Sequence, residues 1–109
     1  MALQEPTFLI LTSLAQGRKH GYALIKDATE ISAGRVTLKV GTLYAALDRL
    51  SNEGLIAAAG EEIVDGRLRR FYELTDEGEA ALSVEIERMR SLASQATARL
   101  RDRPALAFA

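Results

Sequence analysis

Apolar residues recur every three or four positions in four segments of the chain, which is the period of a helix with one buried face. The first predicted helix runs from Pro6 to Gly17 and is apolar over more than one stripe. We therefore expect it to contact both its own core and something else, such as a second chain. The second predicted helix opens at His20 and ends at Gly34, with a brief strand or extended link over 35–38.

The third predicted helix ends at Gly54 and has two contrasting faces. Small residues and one Arg form the outer face, which suits a helix that enters a DNA major groove, where Thr and Ala meet bases and Arg meets guanine or phosphate. An ordinary core helix with a sparsely decorated surface fits the same stretch. The apolar stripe consists of Val40, Leu43, Leu47 and Leu50, and the outer face of Gly41, Thr42, Ala45 and Arg49.

A β-hairpin is predicted directly after this helix. Leu55–Ala59 is typical of a strand, residues 60–66 of a turn, and Leu68–Leu74 of a returning strand with Tyr72 and Leu74 facing inward. A helix-turn-helix followed by a hairpin makes a winged helix, so the expected fold class is mainly α with a β-hairpin wing. Three arginines lie beside the predicted tip of this wing: Arg67, Arg69 and Arg70. Their expected role is to contact phosphate or to enter the minor groove. The alternative is that they only keep the hairpin soluble.

The last predicted helix is capped by Thr75 and carries acidic residues in its first turn. Its apolar residues are separated alternately by four and three positions, which is the repeat of a coiled coil. We therefore expect this helix to pair with the same helix of a second copy. The predicted seam consists of Leu82, Ile86, Met89, Ala93, Ala96 and Leu100.

The 109 residues are enough for about one domain with a modest core. We expect a winged helix-turn-helix over 1–74, a dimerisation helix over 75–103 and a tail over 104–109 with no assigned role. The absence of Cys excludes a disulfide framework and thiolate chemistry, so the cytoplasm is the expected location. We expect neither an export leader nor a membrane partner, since the sequence contains no suitable apolar run.

Charge is distributed unevenly although the net charge is only -1. Residues 16–50 contain six Lys or Arg and three Asp or Glu, a local charge of +3, whereas residues 51–80 contain three Arg and eight acidic residues, a local charge of -5. This clustering permits a basic face on a weakly acidic protein, with only modest long-range attraction to DNA. The mild net charge also fits an alternative, a winged helix that contacts proteins and binds no specific DNA sequence.

In the order and spacing of several short motifs, the chain resembles the PadR family of transcriptional regulators over nearly its whole length. The matching motifs are His20-Gly21-Tyr22, Gly41-Thr42-Leu43-Tyr44, Leu47 with Arg49-Leu50, Gly54-Leu55-Ile56, Arg69-Arg70-Phe71-Tyr72, and Leu74-Thr75 with Gly78. The resemblance implies a homodimer that binds a roughly palindromic operator on double-stranded DNA, commonly as a repressor released by a small molecule. With one helix after the wing, the chain is similar to the short branch of the family. Lys39-Val40 stands where many relatives have Ser-Pro, so the start of the third helix and its capping are expected to differ.

The resemblance also implies dimerisation through the last helix with help from the first, which adds Phe8 and Leu11 to the interface. The resemblance further implies that a small hydrophobic or aromatic effector binds in a small cavity near Met89 and Ala93. Plain packing accounts for these residues equally well. No residue set identifies a ligand.

Candidates for the DNA surface come from the outer face of the third helix, the start of the second and the wing. Thr42 and Arg49 are candidates for base edges, while Tyr44 and Lys39 are candidates for phosphates. Tyr44 is otherwise a half-buried anchor of its helix, and Arg49 otherwise pairs with Asp48 or another nearby acid. The DNA-binding candidates are His20, Tyr22, Lys39, Gly41, Thr42, Tyr44, Arg49, Arg67, Arg69 and Arg70.

Catalysis is not indicated by any residue pattern. The sequence has no paired carboxylates, Cys/His arrangement or Gly-rich phosphate loop of recognisable spacing, so we expect no enzyme. His20 is the only His and has no Cys or second His as a metal-binding partner. We therefore expect a structural or phosphate-adjacent role for His20, and neither a metal nor a cofactor.

Overall fold

A computed structural model describes residues 3–104 of the chain, so most of the predicted tail lies outside the described residues. The described part contains four helices and three strands. In chain order they are α1 (Glu5–Leu14), β1 (Lys19–His20), α2 (Gly21–Ile31), α3 (Val40–Asn52), β2 (Ile56–Val64), β3 (Arg67–Leu74) and α4 (Asp76–Arg101). The strands form one antiparallel sheet in the order β1-β3-β2.

The core lies where α1, α2 and α3 meet. More than half of α1 is buried, so the protomer's own core covers most of this strongly apolar helix. Leu11 is wholly buried and Leu82 of α4 nearly so, and neither offers a surface to a second chain. Both residues, expected at the dimer interface, are core residues of the protomer because α4 begins its path directly against α1.

The buried face of α3 differs from the predicted stripe at its first residue. Leu43, Leu47 and Leu50 are buried as predicted, but Val40 is 53% exposed. The assignment of Val40 to the core is wrong because Leu38, two residues earlier, already fills the core where α3 begins.

Residues 35–38 form an irregular link and no strand. The hydroxyl of Ser32 accepts a hydrogen bond from the Val36 N–H at 3.0 Å, and Ala33 and Gly34 adopt left-handed backbone with φ of 53° and 81°. These turns tie the link to the end of α2, so the brief strand is wrong and the alternative of a link is confirmed.

The wing is longer and its turn tighter than predicted. β2 continues through Val64, and Asp65 and Gly66, with φ of 51° and 76°, form the two-residue turn typical of a β-hairpin. The turn predicted over 60–66 is wrong because Gly60 lies at a β-bulge within β2 and not at the hairpin tip.

The sequence does not predict β1, which has only two residues and hence no alternation to recognise. Lys19 pairs with Tyr72 and His20 with Phe71, so β1 extends the sheet beside β3. Tyr72 packs against the core as predicted. This pairing fixes the start of α2 next to the wing.

Thr75 joins α4 to the turn that follows α3. Its hydroxyl accepts a hydrogen bond from the Gly78 N–H at 3.0 Å, which confirms the predicted cap, and donates one to the Gly54 carbonyl at 2.6 Å. The N–H of Thr75 donates to the Leu55 carbonyl at 3.2 Å, and Gly78 is buried against the same carbonyl. These contacts fix the direction in which α4 leaves the winged helix.

Only the first part of α4 packs on the core, through Gly78, Leu82 and Glu85. The Glu85 carboxylate accepts hydrogen bonds from the Leu3 N–H and from Arg88 Nε, each at 2.5 Å, and these lower the pKa of Glu85 in spite of its burial. Beyond Glu85 the helix projects away from the core. The radius of gyration is therefore 18.0 Å, against about 13 Å for a compact domain of this length.

Candidate nucleic-acid interface

The start of α3 is open to solvent. Lys39, Val40, Gly41 and Thr42 are all exposed, and no side chain among residues 3–104 caps this helix. The first N–H groups of α3 and the positive end of its dipole therefore face outward, an arrangement that suits a phosphate.

His20 caps α2 and contacts the wing. Its Nδ1 accepts a hydrogen bond from the Ala23 N–H at 3.4 Å, its ring meets Phe71 edge-to-face at 5.4 Å, and its Nε2 lies 3.4 Å from Nη1 of Arg69. Partial burial lowers the pKa of His20, and the positive charge of Arg69 lowers it further. The lowered pKa favours the uncharged ring, and the contacts of the ring join α2 to the wing.

The His20 cap predicts a pH dependence of stability. The pKa of His20 in the folded protein lies below its ordinary value of 6.5, so the unfolded chain takes up a proton first as the pH falls. We expect the stabilisation by this cap to be complete above about pH 6.5 and lost as the pH falls through the lowered pKa. His20→Asn keeps a capping acceptor but does not titrate, so its urea unfolding should vary less between about pH 5 and pH 8. Parallel profiles for the variant and the wild type would contradict this role of His20.

Tyr44 of α3 lies against the first turn of α2. A Cβ on Gly21 would come within 2.7 Å of the Tyr44 hydroxyl oxygen, so only a residue without a side chain permits this contact. Burial raises the pKa of Tyr72, and the nearby Tyr44 raises it further. Tyr44 still keeps 43% of its surface exposed. It therefore anchors α3 to α2 while part of it remains accessible.

A concave surface, here called the cleft, joins the start of α2, Tyr44 of α3 and strand β3 of the wing. Arg67 and Arg70 are exposed, and Arg70 lies 3.5 Å from Glu61 in a pair that is weak because both side chains are mostly in solvent. The cleft is lined by His20, Gly21, Tyr22, Tyr44, Arg67, Leu68, Arg69 and Arg70. The structure thus brings together six of the ten predicted DNA-binding residues.

Two basic residues before α2 bind partners within the protomer, Arg18 on the wing and Lys19 on α2, which the sequence does not reveal. The Arg18 guanidinium stacks on the ring of Phe71, 4.2 Å from its centroid, and donates a hydrogen bond to Glu62 at 3.0 Å. Lys19 forms a mostly buried ion pair with Asp27 at 3.4 Å. The sequence gives no signal for these roles because the partners lie on other elements of the chain.

Arg49 is bound within the protomer. Its Nη2 donates a hydrogen bond to the buried Thr7 hydroxyl at 2.9 Å, and its Nη1 lies 3.8 Å from Glu53 Oε1. Pairing with a nearby acid, one of the two roles left open by the sequence, is present at Glu53. The candidate role of Arg49 at base edges stays a prediction. The position of Arg49 on the outer face of α3 does not reveal the contact with Thr7, 42 residues away.

Within residues 3–104, no group of three or more His, Cys, Asp or Glu could hold a metal ion. No helix in the same range is long and apolar enough to cross a membrane. The side chains that converge on the cleft are basic and aromatic, which suits contact with a nucleic acid.

The chain also matches a family of known proteins. The sequence pattern of the transcriptional regulator PadR-like family matches residues 10–84. The chain belongs to the PadR-like family. This PadR-like protein is 36% identical over 86 residues to the transcriptional regulator Rv3488 of Mycobacterium tuberculosis, and the match covers 79% of this chain and 77% of that one.

Solved structures of PadR proteins share its fold. The crystal structure of a PadR family transcription regulator from hypervirulent Clostridium difficile is similar, with a TM-score of 0.71 and 28% identity, over 89% of this chain and 99% of that chain. Bacillus subtilis PadR in complex with operator DNA gives a TM-score of 0.67 and 25% identity, over 76% of this chain and 48% of that chain. These matches confirm the winged helix, and family membership makes the PadR-like protein a DNA-binding transcriptional regulator and not an enzyme.

Proposed function

We propose that the PadR-like protein acts in the cytoplasm as a repressor that binds a roughly palindromic operator as a homodimer. The observation that carries the proposal is the cleft, which unites predicted DNA-binding residues of α2, α3 and the wing on one surface. The similarity to Bacillus subtilis PadR, solved with operator DNA, supports it. In this proposal α3 enters the major groove with Lys39, Gly41 and Thr42 leading, and the wing arginines reach phosphates or the minor groove.

The second copy is inferred from an exposed apolar stripe on α4 beyond Glu85. Leu92 lies beside Met89 on this stripe and extends the seam predicted from the sequence. The stripe consists of Ile86, Met89, Leu92, Ala93, Ala96 and Leu100. A helix that projects into solvent with such a stripe buries it by pairing, and half-buried Phe8 adjoins Met89 at its base. Residues 1–74 would then bind DNA and residues 75–103 dimerise.

An effector is proposed to act at the same seam. A groove of about 510 Å³ between α1, the end of α2 and α4 is lined by Phe8, Ile31 and Met89, together with Glu5 and Arg35. A small hydrophobic or aromatic molecule bound here would change how the two α4 helices meet and hence the distance between the two α3 helices. The test adds small aromatic molecules to the DNA complex. If a molecule that binds in the groove also releases the DNA, the result supports the proposal. Binding in the groove without release would contradict it.

Operator binding is tested with two duplexes of equal length, one from upstream of the protein's own gene and one of random sequence. We expect a specific complex with the first whose affinity falls steeply as salt rises, since each neutralised phosphate releases counterions. Equal binding of the two duplexes would overturn the proposal. It would favour the winged helix that contacts proteins, which the net charge of -1 suits.

Arginines of the wing and of α3 are expected to behave differently. Arg67→Ala and Arg70→Ala should weaken binding to operator and random DNA by similar factors, and each should reduce the salt slope by about one. Arg49→Ala should leave the ratio of operator to random affinity unchanged, because the Arg49 guanidinium donates a hydrogen bond to the buried Thr7 hydroxyl. A selective loss of operator affinity in Arg49→Ala would contradict this expectation and support the candidate role of Arg49 at base edges.

A further inference from the structure

Val40 is an exposed apolar residue and the first residue of α3. In the proposed function, this N-terminal end of α3 enters the major groove. Val40 is 53% exposed and shares a shallow apolar depression with Tyr22, Ile25 and Tyr44, beside Gly21. Apolar side chains gathered on one part of a surface mark a site of interaction. For a DNA-binding regulator with this residue at the start of α3, the occupant to consider first is a base.

The first turns of α3 have little capacity to read bases through paired hydrogen bonds. The residues exposed there are Val40, Gly41, Thr42, Tyr44 and Ala45. None carries the guanidinium, ammonium or carboxamide that makes paired hydrogen bonds to guanine or adenine, and Lys39 before the helix is assigned to a phosphate. Arg49, further along the helix, donates a hydrogen bond to Thr7 of α1. Methyl and hydroxyl groups remain, and the group in the major groove that accepts an apolar contact is the C5 methyl of thymine.

Shape and charge at this position favour duplex DNA over an apolar protein partner. A Cβ placed on Gly41 would meet nothing within 4 Å, so the space beside Val40 is open on the outside of the helix. Lys39 and the uncapped N–H groups of the first turn attract a phosphate and would hold the helix start against the groove.

We propose that Val40 contacts the C5 methyl of a thymine in each operator half-site and makes the protein select thymine at that position. The inference rests on the proposed operator binding and names the chemistry by which α3 reads sequence there. Tyr22 and Tyr44 line the same depression as Val40 and would flank the contact. Removing one methyl group from such a contact should weaken binding about fourfold, the factor equivalent to burial of one such group.

The test replaces single thymines of the operator by deoxyuridine, which lacks only the C5 methyl. The operator is first located by footprinting the full chain on the duplex upstream of its own gene. At one thymine of a half-site, deoxyuridine should weaken binding of the wild type about fourfold, and the same replacement should have little effect on binding of Val40→Ala. Val84→Ala, the same truncation at an exposed site on α4, should retain the full fourfold loss.

If operators with deoxyuridine at each position in turn bound the protein as tightly as the unmodified operator, the role of Val40 would be overturned and operator binding would stand. A loss that is the same in Val40→Ala and in the wild type would also overturn that role. If no duplex bound better than random DNA, the proposed function would fail and this inference with it.

Discussion

Gly78→Ala is expected to lower the free energy of unfolding by about 3 kcal/mol. The added Cβ would lie 2.0 Å from the Leu55 carbonyl oxygen and 2.7 Å from Cδ1 of Leu74. The carbonyl cannot move freely, because it accepts the hydrogen bond from Thr75 that sets α4 on the winged helix. Because the clash is with fixed backbone, we expect a destabilisation at the upper end of the range for overpacked cores. A loss of about 3 kcal/mol corresponds to a fall in melting temperature of about 10–20 °C.

Gly41→Ala is the matched control, since it makes the same substitution inside a helix. Nothing lies within 4 Å of a Cβ at Gly41, and Ala is preferred to Gly in helices by up to about 1 kcal/mol. Its melting temperature should therefore equal or exceed that of the wild type. Thermal melts at one protein concentration compare the variants, because the stability of a dimer depends on concentration. If Gly78→Ala had the same melting temperature as the wild type, the junction at Leu55 would have room for a side chain.

The helices are predictable from the sequence because local signals agree with one another. The apolar period of α3 ends at Gly54, whose φ of 77° is the left-handed conformation expected of a glycine at a helix end. Thr75 opens α4 with the predicted cap. In such segments spacing and end residues point to the same structure, and no distant partner is needed to form it.

The wing shows where such local signals become ambiguous. Gly60 and Gly66 both have positive φ, but one lies at a bulge and the other at the hairpin tip. Only the opposite strand, which continues to pair beyond the bulge, distinguishes the two. The sequence therefore predicts a hairpin correctly while placing its turn too early and too broadly.

Side-chain roles that depend on distant residues are the least predictable part of the candidate site. Val40 fits the apolar stripe of α3 by spacing, yet Leu38 takes the place in the core. Arg49 lies on the outer face by spacing, yet Thr7 of α1 binds it. Leu82 is covered by the protomer itself, whereas the apolar residues of the seam beyond Glu85 are exposed. The regular spacing of these residues does not reveal this difference.

Met89→Glu is expected to split the proposed dimer and to weaken operator binding at least about tenfold. Met89 is 45% exposed in the protomer and lies between Ile86 and Leu92 on the apolar stripe that we propose a second copy covers. An unpaired carboxylate buried there costs several kcal/mol, and two-fold symmetry places one on each copy. A monomer holds only one half-site, so the operator loses the gain from simultaneous binding of two α3 helices about 34–36 Å apart.

Val84→Glu provides the control, because it adds the same charge to the same helix about 140° around its axis from Met89. Val84 is 70% exposed, and this variant should remain a dimer in sedimentation velocity and bind the operator like the wild type. Met89→Glu sedimenting as the wild type would show that the stripe beyond Glu85 is not the seam. Met89 lies beyond the last buried residue of α4, so its replacement leaves the protomer core intact, and a change in sedimentation reports on pairing of the helices.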